Sequence, residues 1–209
     1  MLVTAPDAVL PADGAIVVRR HEVVANRMAN DEQWTVKDGN GHAVTVAAEV
    51  LGGGYERWLP AGPAERDLVI FNGAGKRVAK LHQTATKSPA LQVLRAASAK
   101  STLSMDDLRK FEAGVPGGAT TLELAQDLPA EAQLFIVAIT GSAPRAYTAI
   151  APTTERRKFE WASYAHKSCA RGGLEPLVIG EHIALTWIDS VGRRSAVTAL
   201  TVGRRPPPK

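Results

Sequence analysis

Residues 33–51 read QWTVK, Asp38-Gly-Asn-Gly41, then HAVTVAAEVL. Trp34 and Val36 share one face of an extended chain, and Val44, Val46, Ala48 and Val50 recur at every second position after the turn. Successive side chains of a strand point to opposite faces, so this period of two marks a half-buried ribbon rather than a helix. Gly and Asn tolerate the positive φ that tight hairpin turns need. The stretch predicts two strands joined by a hairpin and sets the class as all-β.

The pattern repeats outward. Upstream, the turn cluster Pro11-Ala-Asp-Gly14 leads into AIVVRR at 15–20. Downstream, RDLVIF at 66–71 meets Asn72-Gly-Ala-Gly75 and returns through 76–84, where Val78 and either Lys80 or Leu81 set the face. Short strands punctuated by turn residues point to a sandwich or barrel. Thr86-Lys-Ser-Pro89 reads as a linker, because proline after small polar residues favours an extended break. A second cycle of strands is expected at 91–96, 120–125, 133–140, 146–150, 159–166, 182–189 and 196–202, the segment 159–166 being the weakest of these. Asp189-Ser-Val-Gly-Arg193 makes the last hairpin, and Pro206-Pro-Pro208 is a tail that cannot extend a sheet. The expected division is therefore 1–87 and 88–209.

One segment departs from this rhythm. Ser104-Met-Asp-Asp-Leu-Arg-Lys-Phe111 offers an N-cap serine, acids in its first turn, and Leu108 and Phe111 on one face before Gly114. These are start and stop signals, and they predict a short helix over 104–112 inserted in the second half. Residues 154–165 carry mixed signals, with β-type aromatics competing against good helix formers.

Composition narrows the function classes. Hydrophobic residues make up 45% of the 209, yet no run approaches the ~20 apolar residues of a membrane-spanning helix. A single cysteine, Cys169, excludes an intrachain disulfide and a thiolate zinc site built by this chain alone. It reads as a buried or idle thiol, or as one that pairs with another chain. The net charge of +4 is spread thinly, with Arg156-Arg157-Lys158, Arg193-Arg194 and Arg204-Arg205 the densest clusters. Neither aromatic interleaving nor a basic helix accompanies them, so they read as solvated surface and no nucleic-acid partner is expected.

The opening Pro11-Ala-Asp-Gly-Ala-Ile-Val-Val18, followed by a strand and a hairpin of Asp-Gly-Asn-Gly type, resembles bacterial immunoglobulin-like modules, including CopC-like copper carriers and surface-layer domains. The closing Ala184-Leu-Thr-Trp-Ile-Asp-Ser-Val-Gly-Arg-Arg-Ser195 resembles the last hairpin of immunoglobulin-like or fibronectin-like modules. The resemblance covers about thirty positions and implies two tandem antiparallel β-sandwich domains in an envelope or extracellular setting. Met1-Leu-Val-Thr-Ala-Pro6 lacks the basic and apolar regions of a secretory signal. The setting implied by the resemblance is periplasmic or extracellular with the signal removed; the alternative is an intracellular chain.

Candidate sites are few. Gly52-Gly-Gly-Tyr-Glu-Arg-Trp-Leu-Pro60 places Tyr55, Arg57 and Trp58 beside mobile backbone, a combination suited to contacting a protein or a cell-surface glycan. The plainer reading tucks Trp58 into the sandwich. Phe71-Asn-Gly-Ala-Gly-Lys-Arg77 has the look of a phosphate loop, but Arg77 stands where a hydroxyl should reach magnesium, and a hairpin is expected. His21, His42, His82, His166 and His182 are scattered singly, so no metal or cofactor is expected, although a CopC-like copper carrier is one alternative function. The other alternative is an enzyme using His166 and Cys169, which lie three apart and would face opposite sides of a strand. No Gly-x-Ser-x-Gly or His-Glu-x-x-His motif is present, and Asp106, Asp107 and Glu112 suit helix-end electrostatics. The expectation is a non-enzymatic structural, adhesion or protein-binding module.

Overall fold

The computed structural model describes residues 1–19, 34–104, 119–140, 144–162 and 177–205, and every helix or strand among them is a strand. The chain divides into two compact units. One is Met1–Leu91 with Glu131–Gln133 and Trp187–Ser195; the other is Gln92–Ala130, Leu134–Thr186 and Ala196–Lys209. The first unit thus includes a hairpin tip from near the end of the sequence.

Among the described residues, Met1–Leu91 of the first unit hold seven strands: β1 (Val9–Leu10), β2 (Ile16–Arg19), β3 (Thr35–Asp38), β4 (Val46–Gly52), β5 (Tyr55–Pro60), β6 (Arg66–Phe71) and β7 (Arg77–Gln83). One sheet runs β1-β7-β6-β3 and the other β2-β5-β4. Leu10, Val36, Leu68, Ile70, Ala79 and Leu81 from the first sheet share a core with Ile16, Val18 and Trp58 from the second. Apolar residues at alternate strand positions thus meet across two layers, which makes a β-sandwich. Leu2 bridges to Val18, and β1 pairs in parallel with β7. With those additions the order is A-B-E-D against C-F-G, the arrangement of a constant-type immunoglobulin sandwich. Leu81, rather than Lys80, sets the buried face of β7.

The second unit is threaded by β8 (Ala96–Ser101), β9 (Ala119–Leu124), β10 (Ala132–Thr140), β11 (Arg145–Ile150), β12 (Lys158–Ala162), β13 (His182–Asp189) and β14 (Thr198–Arg204). Their order is β11-β10-β13-β14-β8-β9-β12. Strand β8 pairs in parallel with β14 and antiparallel with β9, so the seven strands form one continuous order. Leu122, Leu124, Leu134, Ile136, Ile183, Leu185 and Val202 are buried along it.

Several expectations need correction. The strand anticipated at 91–96 lies at Ala96–Ser101, a run of small residues held by neighbours on both sides rather than by its own β propensity. The Asp38–Gly41 turn does form, with Asp38 Oδ1 accepting from the Asn40 and His42 amides and Lys37 bridging Ala43. The strands on either side nevertheless part into different sheets, β3 joining β6 and β4 joining β5. The glycine tract expected as a loop is the turn of a β4–β5 hairpin, with Gly52, Gly53 and Gly54 at φ of 87°, 59° and 78°. The helix expected over 104–112 falls, beyond Ser104, outside the described residues, as does the Pro206–Pro208 tail. Of residues 154–165, Lys158–Ala162 form strand β12, whereas 154–157 belong to the connection before it.

Candidate functional site

Residue 55 and residue 58 lie on opposite faces of β5, and both faces are covered. Trp58 opposes Ile16 and Ala48 and lies in the sandwich core, its indole Nε1 donating to Glu56 Oε2 at 2.8 Å. Tyr55 is also buried and carries the Arg19 guanidinium 5.2 Å from its ring centre. Arg57 shares the face of Tyr55 and keeps only 12% of its side chain exposed. Its Nε donates to the Gly192 carbonyl at 2.7 Å, its terminal nitrogens reach the Asp13 carbonyl and Glu49, and Glu49 also pairs with Arg194. Glu49 and Arg57 are direct cross-strand partners, a position where opposite charges stabilise the ladder. The three residues are therefore placed by one strand, but only Arg57 and its carboxylate partner face a polar surface.

The hairpin tip 187–195 closes this side of the first unit. Buried Asp189 accepts from the amides of Val191 and Arg193 and pairs with the Arg193 guanidinium at 2.7 Å. The Ser190 and Val191 carbonyls accept from the amides of Ala5 and Ala15. Gly192, at φ 73°, approaches so closely that a Cβ there would stand 2.0 Å from the Ala15 carbonyl oxygen. Only glycine supplies both the backbone angle and the clearance.

The histidines are held one at a time. His42 meets Asp38, His82 meets Asp67 at 2.9 Å, and His182 meets Thr201 at 3.0 Å. No group of three His, Cys, Asp or Glu able to hold a metal occurs among the described residues. Asp67 also pairs with Lys80 at 2.8 Å, and the hydrogen bonds from Lys80 and then His82 hold its carboxyl below the usual carboxylate range. The Asp38 carboxyl is lowered too, chiefly by the His42 amide it accepts. Residues 71–77 form a hairpin turn between β6 and β7, in which Asn72 accepts from the amides of Gly75 and Lys76. His21, His166 and Cys169 lie outside the described residues.

Sequence reasoning missed a cleft in the second unit. It has a volume of about 810 Å³ and is lined by Phe135 and Val137 of β10, Tyr147, Ala149 and Ile150 of β11, the 151–157 connection, and Lys158 and Phe159 of β12. Of these, Phe135 and Phe159 stack, with ring centres 4.9 Å apart and planes 14° from parallel. The 151–157 connection is pinned by Arg156, whose guanidinium donates to the carbonyls of Leu128, Pro129 and Pro152. The Leu128 and Leu124 amides donate back to the carbonyls of Arg156 and Arg157. Glu155 takes φ 51° in this pinned turn, a conformation uncommon for a side chain of its kind. Of the basic triplet read as solvated surface, Arg156 therefore works as a clamp, while Arg157 and Lys158 stand exposed at the rim. The stacked Phe135–Phe159 pair, 24 positions apart in sequence, left no local signal by which the cleft could be found.

No family model and no curated protein matches this chain. Among solved structures, it is similar to the FN1–FN3 domains of chicken CNTN1, at 13% identity and a TM-score of 0.30, over 96% of this chain and 68% of that one. It is also similar to the fibronectin(III)-like modules of Clostridium thermocellum CbhA, at 9% identity and a TM-score of 0.26, over 97% and 90% of the respective chains. At such scores the likeness does not carry the fold, which rests on the strand order of the sheets themselves.

Proposed function

We propose that this chain is a non-catalytic binding or adhesion module, exported to the envelope or cell surface. The observation that supports this reading best is how the molecule uses its polar side chains. Arg57, Arg156 and Asp189 are all committed to backbone carbonyls and amides that hold turns in place. Such a molecule is a scaffold that presents edges and rims, and its function is read from those surfaces rather than from a reacting group. In the first unit a protein or glycan partner would meet Arg57 and its neighbours Glu49 and Arg194, with Tyr55 and Trp58 supporting them from within.

Fractionation of the source cells, with the protein expressed from its own coding region, tests the setting. Recovery from the envelope or medium is expected, and recovery from the cytoplasm overturns export. Arg57→Ala, checked for an unchanged circular dichroism spectrum, is expected to weaken capture of a demonstrated surface partner. Unchanged capture removes this site.

A further inference from the structure

We infer that the chain pairs with a second copy of itself along the outer edge of β4, so that two sheets of order β2-β5-β4 join into one across a two-fold axis. Self-pairing of this kind is independent of what the module binds.

Strand β4 ends its sheet, and one hydrogen bond fixes which way its backbone faces. The Ala61 amide donates to the carbonyl of Thr45, just before β4. In an antiparallel ladder the residues alternate, so Thr45, Ala47 and Glu49 turn their amides and carbonyls toward β5. Pro60, which has no amide, stands opposite Val46, where the ladder needs none. The amides and carbonyls of Val46, Ala48 and Val50 therefore point away from β5, and among the described residues nothing pairs with them. Ala48 and Val50 are exposed, Val50 by 76%.

Sheet edges are ordinarily blunted by charge, proline, shortness, a bulge or a covering segment. The other edges of the first unit follow that rule. Strand β1 has two residues, β3 carries Lys37 and Asp38, and β2 is covered by the hydrogen bonds of Met1 and Val3. Over Val46–Val50, β4 has no such protection. Its bulge falls after Val50, and its one charge, Glu49, is already held by Arg57 at 3.2 Å and by Arg194. Laid antiparallel on itself about Ala48, the strand is self-complementary. Val46 meets the partner's Val50, Ala48 meets the partner's Ala48, and Glu49 meets the partner's Ala47, so no like charges stand directly opposite. The pairs formed by Val46, Ala48 and Val50 are those with outward backbone, and each exchanges both N–H···O bonds. Each Val50, exposed in the single chain, then packs beside a valine.

Sedimentation equilibrium of the purified full chain tests the inference. A reversible monomer–dimer equilibrium with a Kd below about 0.5 mM is expected. Val50→Lys should raise that Kd about ten-fold or more with the unfolding temperature unchanged, because lysine at an exposed edge opposes pairing. Val9→Lys, at another exposed apolar position, should leave it unaltered. Cysteine cross-linking with diamide, in a Cys169→Ser background, reads the register. Ala48→Cys should give a disulfide-linked dimer, because directly opposite residues of such a pair have Cα atoms about 5.5 Å apart. Ala47→Cys should not, because its counterpart lies on the diagonal, beyond bridging distance. A chain that stays monomeric at about 1 mM overturns the inference. So does a dimer that Val50→Lys leaves intact or Val9→Lys weakens equally, or one that cross-links through Ala47→Cys and not through Ala48→Cys. If Val50→Lys lowers the unfolding temperature, the two cysteine variants decide alone.

Discussion

The two units treat the strand after their third sandwich position in opposite ways. In the first, the chain leaves β3 after two or three paired residues, and β4 hairpins onto β5 through three glycines at positive φ. In the second, β10 turns back on itself as β11, paired over six positions, and a seven-residue connection carrying Pro152 then crosses to β12. The first choice closes a sheet over Trp58; the second leaves Phe135 and Phe159 stacked beneath an opening. Which strands pair decides which layer receives the extra strand: β4 pairs with β5 in the first unit, and β11 pairs with β10 in the second.

Substitutions can break or sharpen this contrast. Trp58→Ala, in the closed core, is expected to cost about 3–5 kcal/mol by leaving a cavity, read as a fall in the denaturant midpoint. Phe159→Ala, at a partly buried position lining the cleft, should cost only about 1–2 kcal/mol, because water already reaches the cleft. Equal losses for the two would erase the distinction between closed and open units.

Gly192→Ala should destabilise by about 3 kcal/mol, since the added methyl meets the Ala15 carbonyl and φ 73° is unfavourable for it. A loss below about 1 kcal/mol would show that the hairpin tip does not hold the first unit as tightly as its hydrogen bonds indicate. Arg156→Gln should cost about 1–2 kcal/mol and raise proteolytic cutting within residues 151–157, because three carbonyls lose a charged donor. An unchanged cutting pattern would mean the rim is fixed without the clamp.

The smallest effect concerns pH. The exposed Asp67 carboxyl is held below its ordinary value in the folded chain, so its pairing with Lys80 and His82 contributes stability that is fully present above the unfolded value, near pH 4. That contribution is lost as pH falls through the lower folded value. Asp67→Asn should therefore flatten the acid limb of a stability–pH curve below about pH 4 and leave its slope at neutral pH unaltered. A steeper acid limb would contradict the assignment.

Much of the strand pattern was legible. RDLVIF at 66–71 coincides with β6, and the Asn72–Gly75 and Asp189–Arg193 turns join the strands they were expected to join, because alternation and positive-φ residues are local properties. Strand β5 was less legible: Gly52–Gly54 reads equally as a mobile loop or as a tight turn, and only pairing with β2 and β4 makes Tyr55–Pro60 a strand. The candidate site shared that difficulty. Tyr55, Arg57 and Trp58 were found together, but which of them faces outward depends on what covers each side of the sheet.

Side-chain alternation and turn chemistry by themselves determined that this protein is built of strands, where most of them lie, and that it carries no linear catalytic motif. The tertiary structure alone decided which layer each strand joins, that residues 187–195 complete the first unit, and that Phe135 and Phe159 meet. Periodicity is a property of neighbours along the chain, whereas the choice of partner strand depends on turn geometry and on burial shared among residues far apart in sequence.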